Sequence, residues 1–168
     1  MEIWDAYKQD GTLAGCDLIR GEAIPKGLFH LVSEIIVKHK DGMYLLMQRD
    51  WKKPNFPGLY EASAGGSAIK GEEPNTAAIR ELKEETGIEA KELKQIYKCM
   101  SKETIFYGYL CETDCDKESI ILQEGETISY LWLTKGEFLS FVESDKYVQS
   151  HKERISIYLD SIRQYNSR

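Results

Sequence analysis

The stretch from Gly66 to Ile88 constrains this chain most, because it sets one arginine and several carboxylates at fixed offsets between a glycine pair and a helix end. With Gly65 included it reads GGSAIKGEEPNTAAIRELKEETGI. Pro74 suits a first helical turn, where its missing N–H costs nothing, and Gly87 suits the position just past a helix end, so a helix is predicted from about Glu73 to Thr86. Residues three and four apart share a helix face. Glu81, Glu84 and Glu85 therefore project from one side, while Ala77, Ala78 and Leu82 pack the other. Like charges at such spacing repel by roughly a few tenths of a kcal/mol per pair on an open helix, and more where solvent is restricted. A fold that keeps three together needs a cation among them.

Oxygen ligands with positions to spare for water and phosphate suit Mg²⁺ or Mn²⁺. The expected metal ligands are Glu81, Glu84 and Glu85, with the Gly66 carbonyl completing the set. Arg80 has a planar fork that can hold Glu81 or Glu84 in one rotamer, with Glu72 as its other partner. The paired glycines read as a loop whose backbone freedom brings bare carbonyls toward the helix. RELKEE alone also fits a solvated helix. The register with Gly66, Glu72, Arg80 and Gly87 weighs against that: the combined spacing arises by chance in roughly one window in a billion at average residue usage.

At 168 residues the chain is read as one domain, residues 1–168, long enough to bury a core. No apolar run approaches the length a bilayer requires, so no membrane partner is expected. The opening MEIWDAYKQDG has no apolar centre and does not read as a signal peptide. A net charge of −6 argues against a nucleic acid polymer as partner, since such binding rests on phosphate neutralisation by Lys and Arg. Cys16, Cys99, Cys111 and Cys115 lack paired zinc spacing and read as reduced thiols of a cytoplasmic protein.

Along the chain, residues 1–20 read as a hairpin turning at Gln9-Asp10-Gly11. Leu28 to Lys38 and Met43 to Gln48 form a second hairpin around Asp41-Gly42. Arg49 to Gly58 is a loop rich in proline and cations, and Leu59 to Ser63 a short strand. Strands follow at Leu93–Met100, Thr104–Cys111 and Thr127–Leu133, then a short helix from Lys135 through Val142. Lys146 to Tyr165 has apolar residues at helical spacing and reads as one amphipathic helix. His39 and His151 read as surface residues.

The Gly66–Ile88 stretch resembles a complete Nudix box, with no departure at a defining position. The resemblance implies an α/β/α sandwich with a mixed sheet, the box helix on one face and the C-terminal helix on the other. It implies Mg²⁺- or Mn²⁺-dependent pyrophosphatase chemistry on a small phosphorylated metabolite, a nucleoside diphosphate linked to another group. Arg80, Glu81 and Glu84 are then the catalytic residues, Glu81 being the position most often proposed as general base. A further metal ligand from outside the box falls on Glu126, with Glu124 as its neighbour. Dimers are common among such relatives, so a homodimer is an expectation too.

A narrower likeness runs through Trp4-Asp5, Arg20-Gly21-Glu22, His30, Gln48-Arg49 and Pro57-Gly58-Leu59-Tyr60. It points to the branch that includes type I isopentenyl diphosphate isomerase. Those isomerases carry Cys-Gly-His where this chain has Gly65-Gly66-Ser67, so both the acid that protonates the alkene and a metal-binding histidine are missing. Hydrolysis is therefore favoured over isomerisation, and a non-catalytic nucleotide sensor is a third reading. His30, Arg49 and Lys53 are placed on the substrate side. The alternatives are a hydrogen-bonded strand histidine for His30 and a solvated loop for Arg49, Lys52 and Lys53. Tyr60, Phe106, Tyr107 and Trp132 are candidate stacking aromatics, or core.

Overall fold

The computed structural model of the chain describes residues 1–164. Its centre is a hairpin of β3 (His30–His39) and β4 (Tyr44–Arg49), closed by a turn in which Gly42 takes φ +94°. The two strands pair only beside the turn, at Val37 with Leu45 and Lys38 with Tyr44, and then diverge. The segment that follows the loop fills the gap between them. Its first part, β5 (Tyr60–Glu61), pairs with β4, and its second, β6 (Ala64–Ser67), pairs with β3.

Ser63 sits at the fork, fully buried. Its N–H donates to the Ile35 carbonyl at 3.0 Å. Its hydroxyl donates to the Leu45 carbonyl at 2.6 Å and accepts from the Val37 N–H at 2.8 Å. One side chain thus satisfies the backbone groups that the parting strands would leave without partners.

On the outer edge of β3, β8 (Thr104–Thr113) runs parallel over ten residues, followed by antiparallel β7 (Lys94–Ser101). On the outer edge of β4 lies antiparallel β9 (Thr127–Leu133). The sheet is mixed, as expected. Strand alternation sends Ile35, Val37, Leu45 and Met47 to one face, against Ala78 and Leu82 of α1 (Pro74–Thr86). It sends Ile36, Tyr44 and Leu46 to the other, against Phe138 of α2 (Lys135–Phe141) and the two helices beyond it. The result is an α/β/α sandwich. Truncating Leu82, which has no exposed surface, to alanine should cost about 2–5 kcal/mol.

The N-terminal hairpin forms from β1 (Ile3–Tyr7) and β2 (Leu13–Ile19), turning at Gly11 with φ +83°. It buries Trp4, Ala6 and Leu18.

Two expectations change. The glycine pair lies within β6, and neither glycine has a positive φ. The single C-terminal helix is two, α3 (Gln149–Arg154) and α4 (Ser156–Gln164), parted at Ile155, whose ψ of 7° breaks the helical path. Ile155 is itself wholly buried, so the break serves packing against the sheet. Tyr165, the expected helix end, lies outside the described residues.

Candidate active site

Helix α1 begins where the sequence places it, with Pro74 in the first turn and Gly87 at φ +76° closing the last by an N–H bond to the Lys83 carbonyl at 2.9 Å. It lies against β6, and the glycines there provide space rather than unusual dihedrals. A Cβ on Gly66 would come within 2.4 Å of the Glu81 carboxylate, and one on Gly65 within 3.0 Å of the Ser33 carbonyl oxygen. The Gly65 N–H donates to Glu85 Oε2 at 3.0 Å. Glu81 and Glu85 are thereby drawn onto the strand.

Arg80 organises the rest. It donates to both oxygens of Glu72, to Glu81 Oε1 at 2.7 Å, to Glu84 Oε2 at 3.2 Å and to the Ser67 carbonyl at 3.1 Å. Its hydrogen bonds hold Glu72 below the usual carboxylate range. Burial pushes Glu81 up despite Arg80. Burial, followed by repulsion from Glu61 and Glu81, pushes Glu85 well above the ordinary glutamate range. Glu61 is likewise raised by burial, with Arg49 opposing. Glu84 stands at the rim, its side chain 46% exposed.

Three cations border these acids. Arg49 pairs with Glu61 through Nη1 and donates from Nε to the Asn55 carbonyl at 3.0 Å. Lys53 pairs with Glu126. Arg20 reaches Glu2 at 2.9 Å. Except for Glu61 and Glu72, these side chains line a cleft of about 290 Å³.

Of the residues expected at the site, Gly66, Arg80, Glu81, Glu84, Glu85, Glu126, Arg49 and Lys53 all line this cleft. His30 does not. Its ring stacks on Trp4 with centroids 4.5 Å apart, and Nε2 lies 2.7 Å from Thr104 Oγ1. The β1–β2 hairpin covers it, and burial lowers its pKa, so it packs the N-terminal hairpin onto the sheet. His151, expected on the surface, is 1% exposed, because α3 turns it under the sheet to share a hydrogen bond of 2.5 Å with the Tyr147 hydroxyl. Trp132 donates to the Lys117 carbonyl and meets His39 edge-on, Tyr60 packs on Phe141, and Tyr107 lies under Lys98.

The sequence reading missed Glu2 and Glu61, and it left Arg20 without a role. Glu61 carried a signal: it is the one charged residue between Leu59 and the glycine pair.

The donor set is all oxygen and anionic, and its buried members raise one another's pKa, which fits a hard divalent cation. In this conformation no three acidic, histidine or cysteine side chains among the described residues close into a metal-binding group. Arg80 draws Glu81 and Glu84 aside, and Lys53 draws Glu126.

Residues 29–155 match the NUDIX domain family. An uncharacterised Nudix hydrolase of Listeria monocytogenes, lmo0368, is 29% identical over 150 residues, covering 88% of this chain and 89% of that protein. An ADP-ribose pyrophosphatase of Bacillus subtilis is 33% identical over 148 residues, covering 85% of this chain and 77% of its own. The crystal structure of DR0079 from Deinococcus radiodurans superposes with a TM-score of 0.72 at 19% identity, covering 88% of this chain and 92% of that one. A MutT protein from Methanosarcina mazei gives 0.62 at 18% identity, with 83% and 96% covered. These two likenesses are of fold.

Proposed function

The chain belongs to the Nudix family, and on that premise we propose that it hydrolyses a diphosphate bond in a small phosphorylated metabolite, a nucleoside diphosphate linked to another group, with Mg²⁺ or Mn²⁺. The observation that carries this reading is the pairing of an acid floor with a basic rim in one cleft. Glu81 and Glu85 are half-buried against Gly65 and Gly66, and Arg20, Arg49 and Lys53 line the same cleft.

Glu81, Glu84, Glu85, Glu126 and the Gly66 carbonyl would hold the metal, which supplies a water of lowered pKa and shields the anionic diphosphate. Arg80 fixes the Glu81 rotamer. Burial raises the basicity of Glu81, which suits it to take a proton from water. Arg49 and Lys53, now paired with Glu61 and Glu126, would receive phosphate oxygens.

The isomerase reading ranks second. Gly65 offers no proton donor, and a side chain there would press on the Ser33 carbonyl. Two of the relatives described above are named as a Nudix hydrolase and an ADP-ribose pyrophosphatase.

The test is incubation with Mg²⁺ and a panel of nucleotide sugars, dinucleotides and nucleoside triphosphates, following monophosphate or pyrophosphate release. ADP-ribose is the first compound to try, given the Bacillus subtilis relative. Release is expected from at least one compound, and Glu85→Gln should lower it by orders of magnitude with the fold retained. Silence across the panel, with deuterium entering isopentenyl diphosphate, would reverse the ranking.

A further inference from the structure

The stretch that matches the NUDIX domain begins at residue 29, and the β1–β2 hairpin precedes it. That hairpin is nonetheless fastened to the turn that leads into the Arg80 cluster. Ile69, Lys70, Gly71 and Glu72 form a β-turn, closed by the Glu72 N–H to the Ile69 carbonyl at 3.0 Å, with Gly71 at φ +84°. Beyond its own chain neighbours, no heavy atom lies within 4 Å of where a Gly71 Cβ would stand. Glycine is there for its dihedral, which the third position of a type II turn demands.

Every N–H of this turn has a partner. The Ile69 N–H donates to Glu72 Oε2 at 3.0 Å. The two at the tip are held by the hairpin: the Lys70 N–H donates to the Ile3 carbonyl at 2.9 Å, and the Gly71 N–H to Asp5 Oδ2 at 2.7 Å. Lys70 Nζ adds an ion pair with Asp17 Oδ2 at 2.7 Å. A second observation bears on the same contact. Asp5 and Asp17 face one another directly across β1 and β2. Like charges so placed destabilise a strand pair. Here both carboxylates are turned to one turn of the chain, and the Lys70 ammonium offsets their repulsion.

From that turn the connection continues unbroken to the cleft. Glu72 accepts from Arg80 Nε and Nη2, and Arg80 Nη1 donates to Glu81 and Glu84. We propose that Asp5 is a positioning residue for the carboxylate cleft: by holding Gly71 it sets Glu72, and through Glu72 and Arg80 it sets the aim of Glu81 and Glu84. A hairpin that precedes the matched domain is then part of the hydrolytic apparatus. Its effect on turnover rests on the hydrolase reading; its effect on the carboxylates does not. A contact that only anchored the hairpin would change stability and leave the cleft as it is.

The experiment compares the full chain with its Asp5→Ala, Asp5→Asn and Lys70→Pro variants by Mn²⁺ calorimetry, urea unfolding, and steady-state kinetics on a panel compound that the native chain hydrolyses. Asp5→Ala should weaken Mn²⁺ binding and lower kcat by about tenfold each, the scale for removing a group behind a metal ligand, with KM little changed. Asp5→Asn, whose amide oxygen can accept the Gly71 N–H, should recover most of both. Lys70→Pro keeps the turn, since proline suits its second position, but removes both contacts from Lys70 to the hairpin. It should reproduce the losses, and it decides the matter if Asp5→Ala unfolds, because no hairpin residue is changed. In an Arg80→Met background, Asp5→Ala should weaken Mn²⁺ binding no further, the connection being already cut. Native Mn²⁺ affinity and kcat in Asp5→Ala and Lys70→Pro, or an undiminished effect of Asp5→Ala in the Arg80→Met chain, overturns the proposal. Mn²⁺ affinity lost in Asp5→Ala, with no panel compound turned over by the native chain, would sink the hydrolase reading and leave the positioning role standing. Turnover lost in Glu85→Gln but native in Asp5→Ala would do the reverse.

Discussion

Arg80 grips Glu72 with two nitrogens, Nε to Oε1 at 2.8 Å and Nη2 to Oε2 at 2.9 Å, and so ties the loop before α1 to the middle of that helix. The third nitrogen, Nη1, reaches Glu81 and Glu84. A single planar cation therefore sets the position of the loop and the aim of the carboxylates together.

Replacing Arg80 by methionine should leave Glu72 and Glu81 without their cation, both largely buried. A loss of about 2 kcal/mol in unfolding free energy is expected, and a fall in turnover of ten- to a hundredfold for a misaligned carboxylate. Arg80→Lys should recover little of either, because an ammonium cannot bridge two carboxylates in the same plane. Urea unfolding and steady-state kinetics on the three proteins check this. Full recovery by lysine would show that charge alone matters.

Gly66→Ala tests the contact between strand and helix. The new Cβ would meet the Glu81 carboxylate at 2.4 Å, so Glu81 must move. Gly66 has no positive φ, so the backbone itself tolerates alanine. The expected outcome is an unchanged far-UV circular dichroism spectrum with turnover reduced about a hundredfold. Near-native turnover would mean that Glu81 does not need its present position.

Ser63→Ala removes the hydroxyl that joins Val37 to Leu45 where β3 and β4 part. The change leaves a buried N–H and a buried carbonyl short of a partner. A destabilisation of about 1–3 kcal/mol is expected in denaturant unfolding. An unaltered midpoint would show that the fork is held by packing alone.

His151 gives a pH signature. Burial depresses its folded pKa to about 4 from 6.5, with Glu34 partly opposing and Arg154 adding to the shift. Its Nε2 lacks a hydrogen-bond partner, although Glu34 Oε2 lies 3.9 Å away. Between those two values the unfolded chain binds a proton that the folded one refuses. The contribution is therefore complete above about pH 6.5 and lost as pH falls toward 4. From pH 7 to pH 5 the loss should be about 2 kcal/mol. The same titration on His151→Gln should be flatter by that amount, measured as the difference in unfolding free energy.

How much of this was legible follows from the range of the forces involved. Pro74, Gly87 and the spacing of Ala77, Ala78 and Leu82 gave the helix to within a residue, since capping and periodicity act over a few positions. The strands β3, β4, β7, β8 and β9 were legible for the same reason. The gap between β3 and β4 was not, because Ser63 and Glu61 acquire their meaning from two strands brought together across the chain. His30 and His151 misled for a related reason. A histidine's neighbours decide whether it is a ligand, a surface group or a buried hydrogen-bonded ring, and those neighbours, Trp4 and Thr104 for one and Tyr147 for the other, lie on other elements or on the inner face of a helix.

By itself the sequence determined the helix of the Gly66–Ile88 box and the face on which Glu81, Glu84 and Glu85 stand, while the sandwich they belong to was implied by the resemblance to the Nudix family. These depend on local spacing and on alternation of apolar residues. Only the tertiary structure decided that the glycines serve by their missing side chains and that Glu61 joins the acids. It also placed Arg49 and Lys53 against Glu61 and Glu126, and it set Asp5 and Asp17 of the first hairpin against the turn that carries Glu72. Those outcomes depend on which surfaces are pressed together, where desolvation and close approach fix the energy of each charge.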